Sequence, residues 1–115
     1  MSTEFWSRLD DLINASDIVI DRPKGTRHPK YPDVVYPVDY GYLKDTIAAD
    51  GNEIDVWSGT AARRDLTAIA ATVDTLKKDT EIKLIIGCTE IEILTVEEFY
   101  NNQYMSAIII RREID

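Results

Sequence analysis

Two carboxylates bracketing a glycine turn, Asp50-Gly51-Asn52-Glu53-Ile54-Asp55, follow closely on a run of phenols, Tyr36-Pro37-Val38-Asp39-Tyr40-Gly41-Tyr42. Carboxylate oxygens aimed at one point are what a hard divalent cation such as Mg²⁺ takes as ligands. Asp50 and Asp55 lie five residues apart. Five steps along a regular strand reverse the face, so one unbroken strand cannot aim both at a single ion. Gly51 supplies a bend that would permit it. On spacing alone, a hairpin turn at Asp50-Gly51 with Asp55 solvated is the simpler account.

Other charged residues stand where strands end. Asp21 closes the apolar run Ile18-Val19-Ile20 and precedes Arg22-Pro23-Lys24, which puts a carboxylate at the mouth of whatever that strand builds. Asp74 closes a longer strand in the same way, and Lys83 lies on the next one. Lys30, between Pro29 and Tyr31, sits on stiff backbone that suits a positioned cation. Taken singly, each also fits an ordinary hairpin end or surface position.

The elements that must position these groups follow from periodicity. Residues 3–14 carry Phe5, Leu9, Leu12 and Ile13 at helical spacing. Strands are expected over residues 18–21, 40–43, 53–57, 66–73, 81–86 and 106–111, from their β-branched and apolar content. All 4 prolines fall between Pro23 and Pro37, so that segment is extended and irregular, a long loop of the kind that often serves function. Thr89-Glu90-Ile91-Glu92 is a capping box that opens a second helix, with Ile91, Leu94 and Phe99 on one side. Short strands with flanking helices define a mainly β, α+β class, and point to a small twisted barrel.

Composition bounds the functional classes. The 115 residues suffice for one domain, residues 1–115, with a single core. A formal net charge of -8 disfavours nucleic acid as a partner, because phosphate-backbone affinity comes from clustered Lys and Arg. The single cysteine, Cys88, excludes an internal disulfide and a cysteine-based zinc site, and its place after Leu84-Ile85-Ile86 fits a buried thiol. His28 is the only histidine, and no nucleophilic triad surrounds it. No apolar run approaches membrane-spanning length, and residues 1–11 lack the pattern of a signal peptide, so a cytoplasmic location is expected.

Residues 17–87 resemble the soluble family I inorganic pyrophosphatases, in particular a group of short, single-domain relatives. The matching pieces are the strand ending at Asp21, Lys30, the Tyr36-Pro37 and Tyr40-Gly41-Tyr42 run, Asp50-Gly51 with Asp55, and then Asp74, Glu81 and Lys83-Leu84. The resemblance implies an OB-like five-stranded barrel with helices packed outside, and Mg²⁺-dependent hydrolysis of diphosphate to two phosphates. It implies Asp50, Asp55, Asp74, Asp21 and Glu81 as metal ligands, with Asp79 competing with Glu81 for one role. Lys30, Tyr40 and Lys83 would hold the phosphoryl groups. Members of the family are often oligomers, and the apolar run 107–110 suits either a central strand or an edge that takes a partner.

Three features depart from the family pattern. Asn52 stands where the family has the central aspartate of its signature, the residue that accepts the proton of the attacking water. An amide keeps one acceptor oxygen but is no base, a loss on the order of 10²–10⁴ in rate. A hairpin carrying a phosphate-binding arginine is missing between Lys30 and Tyr36, with Arg27 the nearest substitute, and no lysine follows Lys83. Each absent cation removes about 1.5–3 kcal/mol of charge-assisted bonding. The expectations are therefore a weak diphosphatase, or else a non-catalytic relative that binds metal or a phosphate ligand as a regulatory or interaction module.

Overall fold

Alternating apolar residues build the centre of the structure, a computed structural model that describes residues 3–113. Strands β4 (Leu66–Asp74) and β5 (Asp79–Ile86) pair antiparallel, from Leu66 opposite Ile86 to Asp74 opposite Asp79. Before them come α1 (Thr3–Asn14), β1 (Ile18–Arg22), β2 (Asp39–Leu43) and β3 (Ile54–Ser58); after them come α2 (Glu90–Tyr100) and β6 (Met105–Arg111). The six-stranded sheet runs β1-β2-β3-β5-β4-β6. All neighbours are antiparallel except β3 and β5, which run parallel, Val56 beside Leu84 and Trp57 beside Ile85.

The expected five-stranded barrel is not formed. Strands β1 and β6 lie at opposite ends of the order, each with one neighbour, so the sheet is open. Its two faces carry separate apolar layers. Trp6 of α1 packs with Leu43, Val56, Leu66, Ile69, Leu84 and Ile86 on one. Ile93, Val96 and Tyr100 of α2 pack with Trp57, Ala68, Ala70 and Ile85 on the other. Each face thus finds helical cover without the sheet closing on itself.

Both helices bury a different stripe from the one the pattern suggests. In α1 the anchor is Trp6, with Leu9 and Ile13 behind it, whereas Phe5 and Leu12 remain exposed. Arg112 clamps this helix, its guanidinium over the Trp6 ring and both Asp10 oxygens at 2.8 Å. The Thr89/Glu92 capping box forms as expected, and Glu92 also accepts from the backbone and hydroxyl of Thr60. Of the three apolar residues expected on one side of α2, only Phe99 packs. Ile91 and Leu94 are 78% and 50% exposed.

Gly41 sets the approach of β1 to β2. A side chain there would bring its Cβ within 1.8 Å of the Val19 carbonyl oxygen. That constraint explains why the two phenols of this strand are separated by glycine. Cys88 is buried as expected, and burial, with Glu92 nearby, pushes its thiol up to about 12.

Candidate functional site

The register of β2, β3 and β5 collects polar side chains on the face covered by α2. Tyr42 stands opposite Asp55 and Tyr40 opposite Trp57, while the parallel pairing sets Asp55 beside Lys83. Strand alternation then puts Glu81 on the same face as Lys83. The Lys83 ammonium donates to Asp55 Oδ2 at 2.5 Å, to Glu81 Oε2, and to the Tyr40 hydroxyl at 3.3 Å. Its side chain is 9% exposed, so this ion cluster is largely removed from water.

Asp50 joins the cluster from the turn before β3. Gly51 turns with a φ of 86°, and the Asn52 backbone N–H donates to Asp50 Oδ1 at 2.9 Å. The Asn52 amide donates to Asp50 Oδ2 over a longer 3.4 Å. Asp50 also lies against Glu81, close enough for each to shift the other's ionisation. The bend thus sets Asp50 beside Glu81, while Asp55 meets Lys83 directly.

The protonation pattern follows. Two adjacent carboxylates cannot both ionise freely. Burial raises the Glu81 pKa against the pull of Lys83, whereas the Asn52 N–H, helped by Glu81, lowers that of Asp50. For Lys83, burial acts downward. The Tyr100 phenolate at high pH, then Asp55 and Glu81, more than offset it and hold the ammonium above its ordinary range. Tyr40 is raised strongly, by burial first and then by the negative groups around it, so it is a neutral hydrogen-bonding phenol.

Other expected site residues stand apart. Asp74 Oδ1 accepts the backbone N–H groups of Leu76 and Lys77 at 2.9 and 3.0 Å, closing the β4–β5 turn. Asp79 pairs with Asp74 at that hairpin end, and it is Glu81 that reaches Lys83. Asp21 is exposed at the bulge where β1 slips against β2. Lys30 is exposed on the long loop with its ammonium 5.6 Å from the centre of the Tyr31 ring. Arg27 is held inside the same loop by the Pro32 carbonyl at 2.8 Å.

These placements give a first expected result. Asp74→Ala should lower stability by about 1–3 kcal/mol, the cost of leaving turn N–H groups without their acceptor. Asp74→Asn, which keeps an acceptor oxygen, should lose less. Denaturant melts of the pair check this; equal losses would mean the charge, not the turn, is what matters.

Sequence reasoning missed the aromatic wall behind the cluster. Tyr36 stacks on Tyr40 at 5.3 Å, Tyr40 lies 4.6 Å from Trp57, and the Trp57 indole donates to the Tyr100 hydroxyl at 2.9 Å. Trp57 and Tyr100 are 43 residues apart, and nothing local to either foretells the bond. It fixes the rings against which Lys83 lies.

Whether the cluster suits a divalent ion turns on its donors. Asp50, Asp55 and Glu81 offer only carboxylate oxygens, with two of the groups in direct contact, which fits Mg²⁺ in donor type. Among the described residues, however, no three such side chains already stand in an arrangement that would hold a metal. The Lys83 ammonium bonds two of the three, Asp55 and Glu81.

The open mixed sheet with one helix on each face is a pyrophosphatase-like fold. The structure matches that of an inorganic pyrophosphatase from Neisseria gonorrhoeae with a TM-score of 0.62 at 16% identity, covering 77% of each chain. It also matches an inorganic phosphatase from Anaplasma phagocytophilum with a TM-score of 0.56 at 15% identity, covering 82% of this chain and 81% of the other. No protein-family model matches the chain, and no curated protein matches it by sequence. At such identities the likeness is one of fold.

Proposed function

We propose that the chain is a slow Mg²⁺-dependent phosphoanhydride hydrolase of the family I pyrophosphatase type, acting on diphosphate or a related small substrate. The observation that carries this reading is the convergence of Asp55 and Glu81 on Lys83, with Asp50 beside Glu81, within a pyrophosphatase-like fold. Asp50, Asp55 and Glu81 would hold the ion, which when bound supplies a water acidic enough to yield hydroxide near neutral pH. Lys83 and the neutral Tyr40 hydroxyl present hydrogen-bond donors to phosphoryl oxygens on the same face. Lys30, on its mobile-length side chain over Tyr31, would approach from the loop. Asp21 and Asp74 would serve as outlying carboxylates. Asn52 orients Asp50 but takes no proton, which is why the turnover is slow.

Phosphate release from diphosphate with Mg²⁺ tests the reading directly. Release above a blank, abolished by chelator, is expected. No release across several divalent ions from neutral to alkaline pH would sink it.

A second reading has its own observation. Lys83 already bonds both Asp55 and Glu81, so these two carboxylates have a cationic partner without a metal ion. On that reading the chain binds metal or a phosphate ligand without turnover, as a regulatory or interaction module. Calorimetry separates the two, since heat on Mg²⁺ addition without phosphate release supports the second. Among the described residues no helix is long and apolar enough to cross a membrane. The net charge of -8 argues against nucleic acid as the partner.

A further inference from the structure

The two edges of the open sheet are built differently. At the β1 edge the ladder is broken by a bulge at Asp21, the strand carries Asp21 and Arg22, and Pro23 follows at once. These are the devices that stop an edge from recruiting another strand. Strand β6 lacks the bulge and the proline, and its one charge, Arg111, stands at its very end. Its register against β4 is unbroken from Met105 to Arg111, and residues 105–110 contain neither charge nor proline. Ile108 in its middle is 62% exposed.

From these contrasts we infer that β6 pairs with β6 of a second copy of this chain, about a two-fold axis at Ile108, to make one continuous twelve-stranded sheet. In that antiparallel pairing Ile108 meets Ile108, Ala107 meets Ile109, Ser106 meets Ile110 and Met105 meets Arg111. No like charges face each other across the seam. A two-fold normal to the sheet keeps the faces in register, so the exposed Ile108 of each copy covers the other. The row already runs inward from there, through Ala71 to the exposed Ile82.

Helix α2 supplies the rest of the contact. It runs antiparallel to β6: Glu90 at its start bonds Arg111, and the Asn101 side chain at its end bonds Ser106. Glu90, Leu94 and Glu97 recur at helical spacing, so the stripe that reaches Arg111 also carries Leu94 beside the β6 edge. The two-fold sets Arg111 of one copy against the end of β6 where the other copy's α2 finishes with Glu97 and Glu98. Basic strand end meets acidic helix end on both sides of the axis. Leu94, half exposed, follows Glu90 on that stripe, whereas Ile91 lies opposite the buried Ile93, Val96 and Tyr100 and faces away from the sheet.

Sedimentation equilibrium at tens of micromolar should give a dimer, and Ile108→Lys should give a monomer with an unchanged circular dichroism spectrum. Ile108 is exposed, so the replacement leaves the core intact. Register is read by disulfide trapping, with Cys88 buried and silent. Ile108→Cys should cross-link to a covalent dimer under mild oxidation. Ser106→Cys and Ile110→Cys should each fail alone and cross-link when mixed. A wild-type monomer, or a dimer that Ile108→Lys leaves intact, overturns the inference. Cross-linking at position 106 alone overturns the register.

Discussion

Replacing Lys83 by methionine is expected to lower stability by about 3–5 kcal/mol at neutral pH, the usual consequence of stripping a buried charge cluster of its only counter-ion. Methionine fills a similar volume, so the loss is electrostatic rather than a cavity. Asp55 and Glu81 are 30% and 18% exposed at the side chain and would be left facing each other, with Asp50 beyond. The pH dependence should change with it. In the native chain the ammonium is held above its ordinary range, so its contribution is fully present below the unfolded lysine value and is lost only in strong alkali. Glu81, also raised, favours the folded state most when protonated, below its unfolded value, and that advantage fades as pH rises through its folded value. Lys83 now limits this cost. Without it, the variant should gain stability steadily as pH falls from neutral toward about 5, where the carboxylates take up protons. Urea melts across that range check the result, and a small, pH-independent loss would show that Lys83 does not neutralise the cluster.

The second large effect is catalytic and rests on the proposed hydrolase activity. Asn52→Asp should raise the rate of diphosphate hydrolysis by on the order of 10²-fold, the lower end of what a positioned base contributes. The fold should tolerate it. The bond that shapes the turn comes from the Asn52 backbone N–H, and the side-chain amide reaches Asp50 only at 3.4 Å. A carboxylate in an exposed turn beside Asp50 adds both a proton acceptor and a further hard oxygen donor. The pH–rate profile should gain an acidic limb from the new base. An unchanged or lower rate, with Mg²⁺ binding intact by calorimetry, would mean that position 52 does not face the attacking water.

Local signals carried the elements well. The alternating run of β4, the capping box of α2 and the start and end of α1 all lie where residue pattern puts them, because each depends on neighbours a few positions away. The acid turn was legible too, since Gly51 must bend the chain and Asp50 and Asp55 flank it. Closure of the sheet was not legible. Strand count does not say which strands are edges, and here β1 and β6 are left without a second neighbour. The partners of Lys83 were equally hidden, because Asp55 and Tyr40 reach it through a parallel pairing between strands 28 and 43 residues apart. Trp6, rather than Phe5, anchors α1, and its neighbour Arg112, which also bonds Asp10, comes from 102 residues along the chain from that aspartate.

The lone parallel pairing also bears on how the chain reaches its native state. Residues 18–58 form a meander of local hairpins, and residues 66–111 hold the β4–β5 hairpin and its return through α2 to β6. Pairings of this local kind form early, whereas contacts that close long loops are slow. The join between β3 and β5 is the step that unites the halves, and Asp55 stands on one side of it with Lys83 on the other. Assembly of the two halves and completion of the charge cluster are then a single late event, and refolding monitored at Trp57, which sits on that join, should report both together.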